Sequence, residues 1–564
     1  MTRPARTETT TPDGVSWPAP GPGTWLSGID HVAHPVTASF QELYDPERTE
    51  GMRLMFERYG FPAAGYAAGF VNGWMYDRLV PLVGADSDAK PPPTPILWLA
   101  MRVHPEFRKR RRAMVETFQR PRRWEAELAA WLTNEAERQR AANLVLTDEV
   151  PSALDDSALL AHFDRVVERY RHGVRQHFDM KGIDSVPLGD LLAATNACGI
   201  QVDEVVGLLR GTSPASAAPS TLVAVAELVR ASGARPSSLD DIRALGADAS
   251  AALTTFLREH GCCLVTGYDV DGRCLEELPD LVVRSVMAVV DNPTTPPPTP
   301  PSDAVRSLFD RIPADQHTEV AERFALAHAA YGVRDQNGPL TFQWPVGLLR
   351  RAMLEMGRRL HAQGRLDEID HAVELETREL RDLFLTDDPT LKVTAAERAA
   401  RRRVQATMQP PAVLGPPAAP APLDVMPAPL ARGVRAVEAF LAAMTGTRAD
   451  RRPLHGVGIG ATRGTGRAVV ARTPEEAFDR LQPGDILVTT CTTPAYNAIL
   501  PLVGGVITEE GGELSHAAIV ARELGIPAVV GVIDAMTTIG DGQLIELDAV
   551  AGTISVTHEP VFAG

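Results

Sequence analysis

Eight prolines crowd into twenty positions of this chain: Pro410, Pro411, Pro416, Pro417, Pro420, Pro422, Pro427 and Pro429. Proline fixes φ and lacks an N–H, so neither a helix nor a central strand can run through such a stretch. The segment reads as a semi-rigid connector, and the chain must divide there. The expected layout is a disordered Thr/Pro/Gly-rich tail over 1–24, then a helical region over 25–408. A tether over 409–453 contains a short helix (430–444) and a polar hinge (446–453), and a compact α/β unit fills 454–560.

The helical expectation rests on periodicity. Apolar residues recur every three to four positions over 125–142, 157–178, 220–231, 250–259, 275–290, 318–330, 346–362 and 394–404. Breaks fall at Pro/Gly/Ser clusters over 211–219, 233–238 and 293–302. This predicts a multidomain protein with a large all-α region ahead of the small α/β unit.

The α/β unit reads as strands over 466–472, 486–490, 505–508, 543–547 and 553–556, with short helices over 474–481 and from 493. Strand 505–508 runs into Thr508-Glu509-Glu510-Gly511-Gly512-Glu513-Leu514-Ser515-His516. Ala517 to Leu524 then reads as a helix that stops at Gly525 and Pro527. His516 falls in the first helical turn, where free N–H groups and the positive dipole end favour an anion. Gly511 and Gly512 permit close backbone approach. Ser515 either caps the helix or bonds a phosphate. Arg522 lies about 240° round the helix from His516 and reads as structural. An imidazole beside an anion site, without metal-ligand partners, suits a nucleophile that carries a phosphoryl group.

The run from 508 to 531 resembles the phosphohistidine swivelling domain of the phosphoenolpyruvate-utilising and dikinase enzymes, which include phosphoenolpyruvate synthase, rifampin phosphotransferase and phenylphosphate synthase. Gly484-Asp485-Ile486-Leu487-Val488 and Thr492-Thr493-Pro494 fit the same pattern, while the turn over 461–466 is shorter than the family's. The resemblance implies that His516 is phosphorylated, with Thr508, Gly511, Gly512 and Ser515 supporting the phosphate. Shorter matches over 29–37, 256–261, 278–280, 334–337, 349–360 and 374–380 resemble the acceptor-binding region of the rifampin phosphotransferase type. They imply an acceptor pocket with His31, His34, Arg334 and Asp335. Cys262-Cys263 stands where that type carries His-Arg.

The resemblance further implies a dikinase-type phosphotransferase that works with a separate ATP-grasp protein. ATP and Mg²⁺ are expected on that partner, with no cofactor or metal bound by this chain. The acceptor would be a small hydroxylated or phenolic molecule. The alternatives are a silent ligand- or partner-binding protein that retains the swivelling domain, and a phosphocarrier serving another protein. The sequence shows no Gly-x-x-x-x-Gly-Lys-Ser/Thr loop, and Gly456-x-Gly458-x-Gly460 reads as a glycine-rich strand start.

Composition narrows the partners. A formal net charge of −16 argues against nucleic acid, and the basic runs 108–112, 120–123 and 398–403 read as solvated helix faces. No apolar run reaches membrane-spanning length, and residues 1–29 lack a charged start followed by an apolar core. Five cysteines without metal spacing suit a reducing cytoplasm.

Overall fold

A computed structural model describes residues 8–11, 14–28, 32, 34–83, 93–120, 122–209, 219–291, 302–417, 422–446, 452–460, 462–492, 496 and 499–556. The chain forms two compact units. One comprises Met1–Ile183, Tyr268–Gly272 and Asn337–Val434; the other comprises Asp184–Gly267, Arg273–Gln336 and Arg435–Gly564. The expected single helical region over 25–408 is therefore shared between both units.

The first unit is not all-α. A small hairpin pairs β1 (Glu8–Thr10) with β2 (Ser16–Pro18). A second sheet has the order β4-β5-β3-β6, with β3 Trp25–Ser27, β4 Ala63–Val71, β5 Trp74–Pro81 and β6 Val413–Leu414. The β4–β5 hairpin turns on Asn72-Gly73, with φ of 49° and 81°. Both central residues are left-handed, which is why Asn-Gly suits a two-residue hairpin. The long helix Ala38–Tyr59 packs on this sheet and on the helix Asp156–Asp179. Thr37 caps its start by accepting from the Phe40 N–H, and Gly60 ends it at φ 82°.

Two expected segments differ here. The described part of the 1–24 tail is folded: Trp17 is fully buried with Trp25, Trp74, Tyr76 and Leu414. Indole burial supplies the apolar area that the Thr/Pro/Gly composition conceals. The proline-rich stretch is likewise bound into this unit. β6 takes an edge position beside β3, where proline is tolerated. Pro411 O accepts from the Tyr76 hydroxyl at 3.0 Å and Pro416 O from Thr24 at 2.6 Å. Residues 418–421 and 447–451 lie outside the described residues. The basic run 108–112 is solvated at Arg108 and Arg112, but Arg110 is buried.

The second unit holds a seven-stranded sheet of order β13-β12-β8-β9-β10-β11-β7. Its strands are β7 Val457–Ile459, β8 Arg463–Val470, β9 Ile486–Thr489, β10 Gly505–Thr508, β11 Ala528–Val530, β12 Leu544–Asp548 and β13 Thr553–Val556. Strands β8 to β11 run parallel, while β7, β12 and β13 pair antiparallel. Strands β9, β10 and β11 are buried on both faces, hence their unbroken apolar runs such as Ile486-Leu487-Val488. Leu487 and Val506 face one core and Ile486, Val488 and Ile507 the other. The first core also receives residues from the helices Ser220–Ser232, Ala247–His260 and Pro279–Asp291. The short helix expected from 493 falls on residues outside those described, except at Tyr496.

Candidate active site

Strand β10 ends at Thr508, which is fully buried, and its Oγ1 donates to Glu510 O at 2.8 Å. That bond starts the loop leading to His516. Gly511 adopts φ 106°, and a Cβ there would stand 2.6 Å from Ser515 Cβ. Only glycine permits the loop to fold back this tightly. The helix His516–Leu524 follows, capped by Ser515, whose Oγ accepts from the Ala518 N–H at 3.3 Å. Gly525 closes it at φ 68°. His516 is thus the first residue of a helix whose leading N–H groups have no intrahelical partner.

The two ring nitrogens have different surroundings. Nδ1 lies 2.9 Å from Thr492 Oγ1. Nε2 is out of contact with water and has no hydrogen-bond partner among the described residues. With the proton on Nδ1, Thr492 accepts it and the Nε2 lone pair stays free. Burial, and then the Arg334 guanidinium, push the His516 pKa from its ordinary 6.5 down to about 3. The ring is accordingly neutral throughout the physiological range.

The loop is clamped from below. Gly512 N donates to Met444 O at 2.9 Å and Leu514 N to Ala443 O at 2.8 Å, both on the helix Ala428–Thr445. A Cβ on Gly512 would stand 2.5 Å from Ala443 O, so that approach needs glycine. The Leu514 side chain is fully buried with Leu191, Val205 and Tyr331. Arg334 donates to Leu514 O at 3.2 Å and to Met444 Sδ at 3.0 Å. Arg522 donates to Glu513 O and, at 2.7 Å, to Asp203.

Thr508, Gly511, Gly512, Ser515 and His516 thus come together in one loop, and Arg334 joins them through Leu514. Asp335 follows Arg334 on the helix Val333–Gly338. His34 belongs to the other unit, beside Asp271 at 3.9 Å. His31 lies outside the described residues. Cys262 is buried, with its thiol 3.7 Å from Glu276 Oε1, and burial together with the Cys262 neighbour raises the Cys263 thiol far above its usual range. Among the described residues no group of His, Cys, Asp and Glu is arranged to hold a metal ion, and no helix is long and apolar enough to cross a membrane. Sequence reasoning missed Thr492 as a site residue; the Thr-x-Pro pattern at 492–494 was the available signal.

The described family of PEP-utilising enzyme mobile domains matches residues 481–552. The phosphoenolpyruvate synthase of Aeropyrum pernix is 47% identical over 90 residues, covering 16% of this chain and 11% of its own length. An uncharacterized phosphotransferase, YvkC, of Bacillus subtilis is 43% identical over 104 residues, covering 18% and 12%. The uncharacterized protein Rv2047c of Mycobacterium tuberculosis is 35% identical over 213 residues, covering 38% and 22%. The chain therefore spans between 11% and 22% of the length of these relatives. Residues 481–552, with His516 at a helix start, are thus similar to the mobile domain of phosphoenolpyruvate-utilising enzymes.

Proposed function

We propose that this chain is the histidine-bearing component of a phosphotransferase. The observation that carries the reading is the asymmetry of His516: Nδ1 is engaged by Thr492 while Nε2 is neutral and has no hydrogen-bond partner among the described residues. In the first step the Nε2 lone pair attacks a phosphoryl group of ATP held by a separate ATP-grasp protein. An N–P bond forms, the P–O bond to the departing nucleotide breaks, and the proton stays on Nδ1, hydrogen-bonded to Thr492 Oγ1. Mg²⁺ accompanies the nucleotide on that partner. Resemblance points to the β-phosphate: AMP leaves, the ring carries the β,γ-pyrophosphoryl group, and water then cleaves the P–O bond to the γ-phosphate, releasing phosphate and leaving one phosphoryl group on Nε2. The protein contributes position and charge more than covalent chemistry: first-turn N–H groups and Arg334 face the added negative charge.

In the second step the phosphoryl group passes to a small hydroxylated or phenolic acceptor, so that one difficult transfer becomes two easier ones. The acceptor-side assignments of His31, His34 and Asp335 rest on resemblance. Both steps belong in the cytoplasm, where ATP is supplied.

The test is to incubate the chain with an ATP-grasp partner and ATP labelled at the β-phosphate. Acid-labile, base-stable label on wild type, absent from His516→Ala, is the expected result. A partner that binds ATP yet leaves wild type unlabelled would sink the reading in favour of a silent binding protein.

A further inference from the structure

Part of the His516 ring reaches the surface, yet its Nε2 is shut away from water and meets no hydrogen-bond partner among the described residues. A buried polar atom left unpaired is costly and calls for an explanation. A ring nitrogen that must meet a reagent cannot do so from this position. The loop that delivers the ring is seated on the end of the helix Ala428–Thr445.

That seat joins two unfinished backbones. The helix closes at Gly446, φ 73°, whose N–H reaches Ala442 O at 2.9 Å. The last carbonyls of a helix have no intrahelical donor. Here Ala443 O and Met444 O are completed by the Leu514 and Gly512 N–H groups, at 2.8 and 2.9 Å. Such bonds exchange for water at modest net cost, so they set the loop's register and hold it weakly. Leu514 is the stronger anchor. Its side chain is fully buried with Leu191, Val205 and Tyr331, in a core separate from the two that flank the sheet. Arg522 adds a salt-sensitive tie by donating to Glu513 O and to Asp203, which is half-exposed.

We infer that the 509–515 loop is a reversible latch: while Leu514 is seated, Nε2 of His516 is sealed, and the ring becomes reactive only when the loop lifts from the helix end. Because Leu514 belongs to neither sheet core, the loop can lift without unfolding the unit. Local openings of this kind cost far less than global unfolding. In the phosphotransfer proposed above, opening precedes attack by Nε2, a consequence that rests on that reading. The latch itself does not rest on it, since any small electrophile reports whether the ring nitrogen is open.

The test treats the full chain, alone and at neutral pH, with diethyl pyrocarbonate and follows carbethoxylation of each histidine by peptide mass spectrometry. His516 is unprotonated there, so slow reaction reports a closed ring and not a charged one. His361, exposed on the helix Trp344–Ala362, is the open reference. Wild-type His516 should react about 100-fold or more slowly than His361. Leu514→Ala empties the anchor and should speed His516 by about tenfold or more. Asp203→Asn, at the surface, should speed it by up to about fivefold and abolish the acceleration that added salt gives wild type. His361 should react alike in all three proteins, and the urea midpoint of each is measured alongside. Wild-type His516 reacting as fast as His361 would overturn the latch, as would equally slow reaction in all three proteins. Acceleration confined to the global urea transition would overturn it too, by making the opening an unfolding of the unit. No ATP or donor is involved, so a failure to label His516 from ATP would retire the proposed function and leave the latch standing.

Discussion

The two units each hold a histidine in an unusual setting, and the settings pull in opposite directions. His516 sits beside one arginine, with Thr492 on Nδ1, and its pKa falls to about 3. Burial also pulls His34 down, but Asp271 and Asp269 outweigh it and raise its pKa. Asp271 is held ionised by His34 and Arg402, whereas burial and the neighbouring Asp271 raise Asp269 to about 7. Asp269 accepts from both the Thr37 N–H and hydroxyl at 2.7 Å and so ties the Tyr268–Gly272 segment to the start of the 38–59 helix. The same imidazole is therefore a neutral ring in one unit and a favoured cation in a structural network in the other. Charge partners, not burial alone, separate the roles.

The comparison can be broken most directly at Thr492. If the Nδ1 contact fixes the reactive tautomer, Thr492→Val should slow labelling of His516 by about 100-fold while Thr492→Ser keeps most of the rate. Wild-type labelling by the valine variant would remove the tautomer argument. A second break is Gly512→Ala, whose methyl has no room against Ala443 O and the Gly446 backbone. Overpacking of this kind costs about 1–3 kcal/mol, read as a lower melting temperature of the second unit; an unchanged melting temperature would mean that the loop is not clamped as described.

Opposite pKa shifts give opposite pH signatures, which sharpens the contrast. His34 is raised above its ordinary 6.5, so its contribution to stability is complete below that pH and fades as pH climbs through the folded value. His516 is depressed, so stability is full above pH 6.5 and is lost as pH falls from there toward 3. His34→Gln should therefore cost stability chiefly in mild acid, whereas His516→Gln should make the protein more acid-resistant relative to wild type. Urea midpoints of both variants measured from pH 5 to neutrality check the signs; parallel profiles would refute the contrast. The smallest effect is expected at Asp203→Asn. Arg522 is nearly buried but Asp203 is half-exposed, so the pair should be worth no more than about 1 kcal/mol. A differential-scanning measurement showing several times that loss would make the pair part of the loop's essential clamp.

Much of the histidine loop was legible beforehand because its signals are local. Ser515 as cap, Gly525 as stop, and strands 505–508 and 553–556 all follow from neighbouring residues. The Asn72-Gly73 hairpin was legible too, although a helical reading of the surrounding region passed over it. Strands β7 and β11 are three residues each, too short to show a period. Strand β6 was not readable as a strand at all, since two residues among prolines pair only with Trp25 and Leu26, far back in the chain.

By itself, then, the sequence determined the glycine-rich turn, the capped helix and the histidine at its head, since each depends on contacts within a few residues. Tertiary structure alone decided what surrounds that histidine. Thr492 reaches it across 24 residues, Arg334 approaches through Leu514 across 180, and Asp269 meets Thr37 across 232. Side-chain chemistry is written residue by residue, but a pKa is set by whichever charges the fold brings within a few ångströms, and no local pattern records them.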